Sequence, residues 1–406
     1  MTAAAPTRVL VLNSGSSSLK YQLIDMAGPV PGTDRPARGI VERIGEPRAR
    51  GGVPDHAAAL RAVGDELAAA GHGLDSPDLL AIGHRAVHGG TRFTEPVLVD
   101  DGVLAEMEKL VPLAPLHNPA NIAGIRVARE LRPDLPQVAV FDTAFHATLP
   151  EHAWRYALDP AVADPYAIRR YGFHGTSHAY VSRTAARLLG RDPADPADLA
   201  GFHVIVLHLG NGASVSAVAG GRCVETSMGM TPLEGLVMGT RSGDLDPAVV
   251  FHLAREAGMD TDAIDTLLNK RSGLAGLCGD NDMREIGRRM AEGDERARLA
   301  FDVYVHRIRK YVGAYTAVLG RVDAIAFTAG VGENSAAVRE ASMRGLEAFG
   351  VELDSVRNAV RGDAPRVVSA PGSRTAVAVV PTDEELEIAT QTRDLVGERG
   401  LSLPPP

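Results

Sequence analysis

The chain has 406 residues, 45% hydrophobic and 23% charged, a balance that fits a globular protein with room for two domains and argues against disorder. Its formal net charge, 42 − 51 = −9, disfavours broad binding to nucleic acid or an anionic membrane, yet leaves room for a few arginines gathered around phosphate. Aromatics make up only 4%, so the core must rest on Val, Leu, Ile and Ala, and the two cysteines, Cys223 and Cys278, form no CxxC pair that would suggest zinc or a disulfide framework.

The opening Met1-Thr-Ala-Ala-Ala-Pro6 lacks the basic-then-apolar order of a signal peptide, and no apolar stretch is long enough to span a bilayer. A reducing cytoplasm is the expected location. Residues 8–13 are predicted as a buried strand, 14–18 as a turn of small residues and 19–24 as a returning strand, together a hairpin. Residues 28–55, rich in Pro, Gly and Arg, are predicted as loops around a short strand, and 56–70 as a helix. A short strand at 79–82 is expected to end in the turn-rich segment 83–90. Helices follow at 102–110 and 119–132, the second with Asn118 as N-cap and Pro119 in its first turn. A strand at 137–141 stops at Asp142.

The second half repeats the plan. After a helix at 175–189 and an Asp-Pro-rich loop at 191–198, residues 202–207 are predicted as a strand, 208–212 as a glycine turn and 213–218 as the returning strand. A long helix at 296–319 leads to a strand at 322–327 and a third glycine turn at 330–335. A last strand at 376–380 and a helix at 386–396 close the pattern, with 401–406 expected to fray. Strands alternating with helices make this an α/β protein.

Glycine turns leaving buried strands let backbone N–H groups approach an anion. One such turn is more often a plain hairpin; three in one chain shift the weight toward phosphate. None has the GxxxxGK[ST] spacing of a P-loop or a GxGxxG opening a helix. Arg85 and Arg241 lie beside glycines, either as solvated residues or as guanidinium clamps on phosphate or carboxylate oxygens. His174, at the predicted start of a helix, could donate to a charged ligand. Its spacing to His178 is a weak metal signal, since no Glu accompanies it as in HExxH. Asn13, Asp142 and Glu384 follow strand ends. Each is either a turn or cap residue or one of the hard oxygen donors that magnesium prefers.

Ten segments in order carry a resemblance: NSGSSSLK at 13–20, GHRAVHGG at 83–90, LHNP at 116–119, FDTAFH at 141–146, YGFHGTSH at 171–178, HLGNG at 208–212, TSMGMTPLEG at 226–235, GTRSGD at 239–244, GVGENS at 330–335 and PTDEE at 381–385. Together they resemble the acetate kinase family. The resemblance implies two related actin/ribonuclease-H-like domains flanking an active-site cleft. The first would be 1–150, completed by a C-terminal helix at 386–406. The second would be 151–385 and bind nucleotide. It further implies reversible transfer from ATP to acetate, giving ADP and acetyl phosphate, in a homodimer. Mg2+ would assist, with Mn2+ as a substitute, held by Asn13 and Glu384. Lys20, His208, Leu209, Gly210, Asn211, Gly212, Asp282, Met283, Arg284, Gly330, Val331, Gly332, Glu333 and Asn334 would hold ATP or ADP. Asp142, His174, Arg241 and Arg85 would be catalytic. Val87, Leu116, His117, Phe173 and Pro232, with Arg85, would receive the acid. Asp383, where Asn is common, and a shortened 28–55 region depart from the family pattern without touching the catalytic set.

A carboxylic acid with a pKa near ~4 to 5 is already ionised at neutral pH, so it needs no general base. Asp142 is therefore expected to orient an arginine or hold a magnesium-bound water. A propionate or other short-chain acyl kinase is the nearest alternative. A non-enzymatic nucleotide switch would not need Arg85, His174 and Arg241, and a sugar kinase would not want an apolar acid pocket.

Overall fold

The computed structural model describes residues 6–28, 31–46 and 52–400. The start of the chain at 1–5, parts of the Pro/Gly/Arg-rich segment (29–30 and 47–51) and the tail 401–406 lie outside the described residues, as does the end of the helix expected to run to 406. The chain divides into two compact units, Met1–Ala147 with Asp383–Pro406, and Thr148–Thr382. The sequence placed these divisions at 150 and 385.

In the first unit, β1 (Arg8–Ser14), β2 (Ser18–Asp25), β3 (Ala37–Glu42), β4 (Leu79–Ala86), β5 (Val97–Leu98) and β6 (Gln137–Phe141) form a sheet of order β3-β2-β1-β4-β6-β5. β1 and β2 are the expected hairpin, in register from Arg8↔Asp25 to Ser14↔Leu19. β1, β4 and β6 run parallel. Their near-continuous apolar sequences are buried on both faces, as parallel strands require. One face packs Leu10, Leu12, Leu23 and Ile82 against Leu60, Val63 and Leu67 of the helix His56–Ala69. The other packs Val9, Val11, Ala81 and Val140 against Ile388, Ala389 and Val396 of the helix Glu384–Glu398.

The second unit repeats this arrangement. β7 (His203–Leu209), β8 (Ala213–Ala219), β9 (Arg222–Thr226), β10 (Ala324–Thr328), β11 (Arg366–Val367) and β12 (Ala376–Val379) are ordered β11-β12-β10-β7-β8-β9. β7 pairs antiparallel with β8 and parallel with β10, just as β1 does with β2 and β4. These are two actin/ribonuclease-H-like α/β domains. Among the described residues no helix is long and apolar enough to cross a membrane.

Three local expectations are corrected. The strand predicted at 79–82 runs on to Ala86, so Arg85 sits in β4 and not in a turn. Gly83 is there for packing: a Cβ would meet Thr392 Oγ1 at 2.5 Å and Ile388 Cγ2 at 3.0 Å on the helix that covers the sheet. His117, not Asn118, is the N-cap of the helix Asn118–Leu131. The buried Asn118 amide instead clips the His88 backbone, accepting from its N–H at 3.2 Å and donating to its carbonyl at 3.1 Å. The third glycine segment is a helical turn, Ala329–Asn334. Glu333 locks it, accepting from the N–H of Ala329 at 2.8 Å and of Thr382 at 3.1 Å.

Candidate active site

In the first unit the candidate residues gather at the carboxyl ends of parallel strands, the edge where ligands bind in open α/β sheets. Asn13 is one step beyond the Leu12↔His84 pairing, Arg85 is near the end of β4, and Asp142 directly follows β6. Asp142 is only 2% exposed. Its carboxylate accepts from Arg85 Nε at 3.0 and 3.2 Å and from Nη2 at 2.6 Å. Arg85 Nη2 also lies 3.7 Å from Glu384 Oε2, in the first turn of its helix. Burial opposes the Arg85 charge, but Asp142 and then Glu384 outweigh it and hold its pKa above the ordinary value. Asp383, which caps that helix through the N–H of Leu386, is paired with Arg35.

The position of Asn13 is fixed from behind. Asn121 donates to the Ser14 carbonyl at 2.7 Å and accepts from the N–H of Val87 at 3.1 Å. Gly124 lets the same helix touch β1, since a Cβ there would collide with the Ser14 hydroxyl. Val87 is half-buried, whereas Leu116 is 69% exposed and His117 is exposed too. Lys20, Arg35, Arg38 and Glu385 line a cavity of about 480 Å³ in this unit.

Magnesium asks for a few hard oxygens and completes its octahedron with water and phosphate. The first unit fits that demand. Asn13 can offer its amide oxygen and Glu384 its carboxylate, and the Asn13 side chain makes no hydrogen bond among the described residues. No group of three or more His, Cys, Asp or Glu capable of holding a metal occurs among the described residues, so the His174–His178 pair gains no support as a zinc site.

In the second unit His174 takes a left-handed backbone, φ 58°, and is the N-cap of the helix Gly175–Leu188. A non-glycine residue there is strained by about 1–3 kcal/mol, a strain that clusters at functional sites. Its ring stacks on His208, with centroids 4.2 Å apart. Ser214 Oγ is hydrogen-bonded to His174 Nδ1 at 2.9 Å and to His178 Nε2 at 2.7 Å. His208 Nδ1 pairs with Ser177 Oγ at 2.8 Å.

Arg241 comes to the same place. A Cβ on Gly212 would lie 3.4 Å from Arg241 Nη1 and 3.5 Å from His174 Nε2. Arg241 donates from Nη1 to the Pro232 carbonyl at 3.3 Å and has no carboxylate partner among the described residues. Burial alone depresses its pKa. The loop needs glycine at Gly243 (φ +66°), where a Cβ would also strike the Leu236 and Gly235 carbonyls. Phe173 is buried and Pro232 half-buried in this unit.

Beside this cluster opens a cavity of about 1120 Å³. Nine expected nucleotide residues line it: Gly210, Asn211, Asp282, Met283, Arg284, Gly330, Val331, Glu333 and Asn334. Leu209 and Gly332 do not; they pack against each other inside, and His208 turns to Ser177. Gly212 lies under Arg241 and His174. Asp282 caps its helix through the N–H of Arg284 and grips that guanidinium.

A family model described as the acetokinase family matches residues 8–390. The chain belongs to that family. A protein named acetate kinase from Streptomyces coelicolor is 68% identical over 409 residues, covering 97% of this chain and 98% of its own. The crystal structure of Porphyromonas gingivalis acetate kinase is 44% identical, with a TM-score of 0.89 over 96% of this chain and 100% of that one. A structure named as a propionate kinase from Francisella tularensis is 38% identical, with a TM-score of 0.86 over 96% and 99%.

Sequence reasoning passed over several residues that shape the acetokinase cavity. Asn281 donates to Asn211 Oδ1 at 2.9 Å and so joins two cavity walls. Its place beside Asp282 was the available signal. Arg339 is 2% exposed and donates to the carbonyls of Gly332 at 2.8 Å and Glu333 at 2.9 Å, closing the end of the Ala329–Asn334 helix. Burial lowers its pKa to about 10. Nothing in its local sequence separates it from a solvated arginine.

Proposed function

We propose that the chain transfers the terminal phosphoryl group of ATP to acetate, reversibly and directly, giving ADP and acetyl phosphate. One observation carries most of the weight. Arg241 is partly desolvated without a carboxylate and meets His174 over Gly212, beside a cavity lined by phosphate-suited glycine turns. A partly buried cation without a carboxylate is costly unless an anion completes it. A phosphoryl group is the anion that suits a guanidinium, an imidazole N–H and glycine backbone together.

In the proposed step a carboxylate oxygen of acetate bonds to the γ-phosphorus. The bond from that phosphorus to the β,γ-bridging oxygen breaks, and ADP leaves with the electron pair. No proton moves, because acetate arrives ionised. The transition state is loose, with charge on the equatorial oxygens, so the protein has to position and stabilise. Arg85 and Arg241 supply fixed positive charge. Ser214 has one hydroxyl proton for two histidines, so at least one of them must donate to it. If His178 donates to Ser214 and the Ser214 hydroxyl donates to His174 Nδ1, His174 Nε2–H is left for the phosphoryl oxygens. Asp142 is proposed to aim Arg85 and keep it charged. Asn13 and Glu384 would hold magnesium, which when bound neutralises phosphate charge. Val87, Leu116, His117, Phe173 and Pro232 would receive the acid, and the second unit's cavity the nucleotide.

The propionate kinase among its relatives makes propionate the second reading, since one methylene shifts binding by only about 1–3 kcal/mol. Trapping the acyl phosphate with hydroxylamine, using acetate, propionate and butyrate at matched MgATP, tests both. Acetate is expected to give the strongest hydroxamate signal. Silence with every acid would refute the kinase reading, and a stronger propionate signal would replace acetate. A cytoplasmic homodimer belongs to the same reading. The two cysteines, both buried and not joined in a disulfide, suit a reducing compartment, and light scattering measures the oligomer.

A further inference from the structure

Beside the Pro232 segment lies a half-buried polar cluster with no part in the phosphoryl chemistry. Arg170 donates from Nη2 to Glu234 Oε1 at 2.6 Å. From Nη1 it also holds the carbonyls of Ser227 at 3.1 Å and Met228 at 3.2 Å. The Tyr156 hydroxyl donates to the other oxygen of Glu234 and accepts from the N–H of Met230 at 3.1 Å. Both carboxylate oxygens of Glu234 are therefore engaged, one by a cation and one by a phenol.

The cluster ties together the segments that carry the expected acid pocket. The Gly229 carbonyl accepts from the N–H of Tyr171 at 3.0 Å and of Gly172 at 3.3 Å, just before Phe173 and His174. Three residues on, the Pro232 carbonyl accepts from Arg241 at 3.3 Å. Gly229 has to be glycine, because a Cβ there would collide with both the Tyr156 hydroxyl and Glu234 Oε2. Past Glu234, Asp244 accepts from the N–H of Gly235 at 2.8 Å and from Tyr311 at 2.8 Å, pinning the far side of the loop. The segment 227–235 is held at both ends and in the middle, with Pro232 inside it.

We propose that Glu234, through Arg170 and Tyr156, is a positioning residue that sets the shape and selectivity of the acid pocket. This rests on the acetate-kinase reading. Glu234 touches no substrate in this scheme. It holds the backbone that presents Pro232 and that receives Arg241, so loosening it lets the pocket widen while the nucleotide cavity is left alone.

The test compares the full-length wild type with Glu234→Gln and Tyr156→Phe, using hydroxylamine trapping with acetate and with propionate and a separate titration of ATP. Glu234→Gln keeps the size and loses the charge. Tyr156→Phe keeps the ring and loses one hydrogen bond. The expected result is a rise of about tenfold in the KM for acetate in Glu234→Gln, the scale of one charge-assisted hydrogen bond. The acetate-over-propionate ratio of kcat/KM should fall several-fold, and the KM for ATP should stay within about twofold. Tyr156→Phe should move the same quantities in the same direction by less. A merely structural role would lower thermal stability and leave the selectivity ratio where it was. That outcome in whichever variant stays folded overturns the inference, and so does unfolding of both. A wild type silent with every acid would instead sink the kinase reading, and this inference with it.

Discussion

Replacing Asp142 by Asn separates two accounts of the chemistry. If Asp142 were a general base, the variant would lose a proton acceptor. If it aims Arg85, the variant loses the anchor of a cation. Three contacts of 2.6 to 3.2 Å join this pair, and both oxygens of Asp142 take part. Asn keeps one acceptor and turns an N–H toward Arg85 at the other. The loss of a hydrogen bond between charged groups is worth about 1.5–3 kcal/mol, or roughly 10- to 150-fold. A stabilising cation that is no longer aimed costs about 100- to 1000-fold. We therefore expect kcat to fall on the order of 100- to 1000-fold. A second signature follows from Glu384, whose Oε2 is already 3.7 Å from Arg85 Nη2. Released from Asp142, the guanidinium turns to that carboxylate and competes with magnesium for it. The magnesium concentration needed for half-maximal rate should rise. The assay is hydroxamate formation across a magnesium titration at several pH values between about 6 and 9. The fold-loss should be the same at each pH, because acetate is ionised throughout and Arg85 stays charged. A loss that varies steeply with pH and ignores magnesium would refute the reasoning and restore Asp142 as a base.

Other consequences are checked more simply. Arg241→Met should cost about 100- to 1000-fold in rate yet leave the melting temperature unchanged or higher, since it removes a desolvated cation without a carboxylate partner; a clear drop in melting temperature would show that Arg241 holds the fold. Val87→Ala should relax selectivity toward propionate, and an unchanged ratio of kcat/KM between the two acids would dismiss Val87 as a pocket wall. Gly124→Ala should destabilise by about 1–3 kcal/mol, because the new methyl collides with the Ser14 hydroxyl and lies 2.9 Å from its Cβ; urea unfolding measures it, and a neutral effect would mean that the helix can retreat from β1 freely.

Strand patterning and glycine turns made much of the fold legible. The 8–24 hairpin, its counterpart across 203–219 and the two-halves plan all follow from alternating apolar runs and small-residue turns. Failures came where a glycine or a polar residue served tertiary packing. Gly83 looks like a turn in sequence and is a contact point for a helix some 300 residues later, Glu384–Glu398. Asn118 looks like a helix cap, and its amide is used against His88. Local sequence cannot separate these, because the deciding partner is distant in the chain. The candidate site shows the same division. The ordered motifs pointed to the glycine-turn walls of the nucleotide cavity, whereas Arg339 acts through the backbone carbonyls of Gly332 and Glu333, a use that leaves no local pattern.

The duplicated topology explains why one signal, a strand leading to a small-residue turn, carries two chemistries. Asn13 pairs with Lys20 and His208 with Ser214, each pair one step before the last residue of its leading strand. At this shared position the first unit places an oxygen donor and the second an imidazole. In the first unit Arg85 is already matched by the carboxylates of Asp142 and Glu384. Around His208 the neighbours are N–H and O–H groups, and Arg241 has no carboxylate. In the proposed reading the first unit is thus suited to a cation, and the second to an anion. Transfer from a magnesium-bound nucleotide to a carboxylate needs both environments. A single sheet edge cannot easily provide them, since carboxylates placed among phosphate-binding donors would occupy the donors themselves. Dividing the two roles between copies of one fold leaves Arg241 without a carboxylate among the described residues, and in the proposed reading the phosphoryl group would complete it.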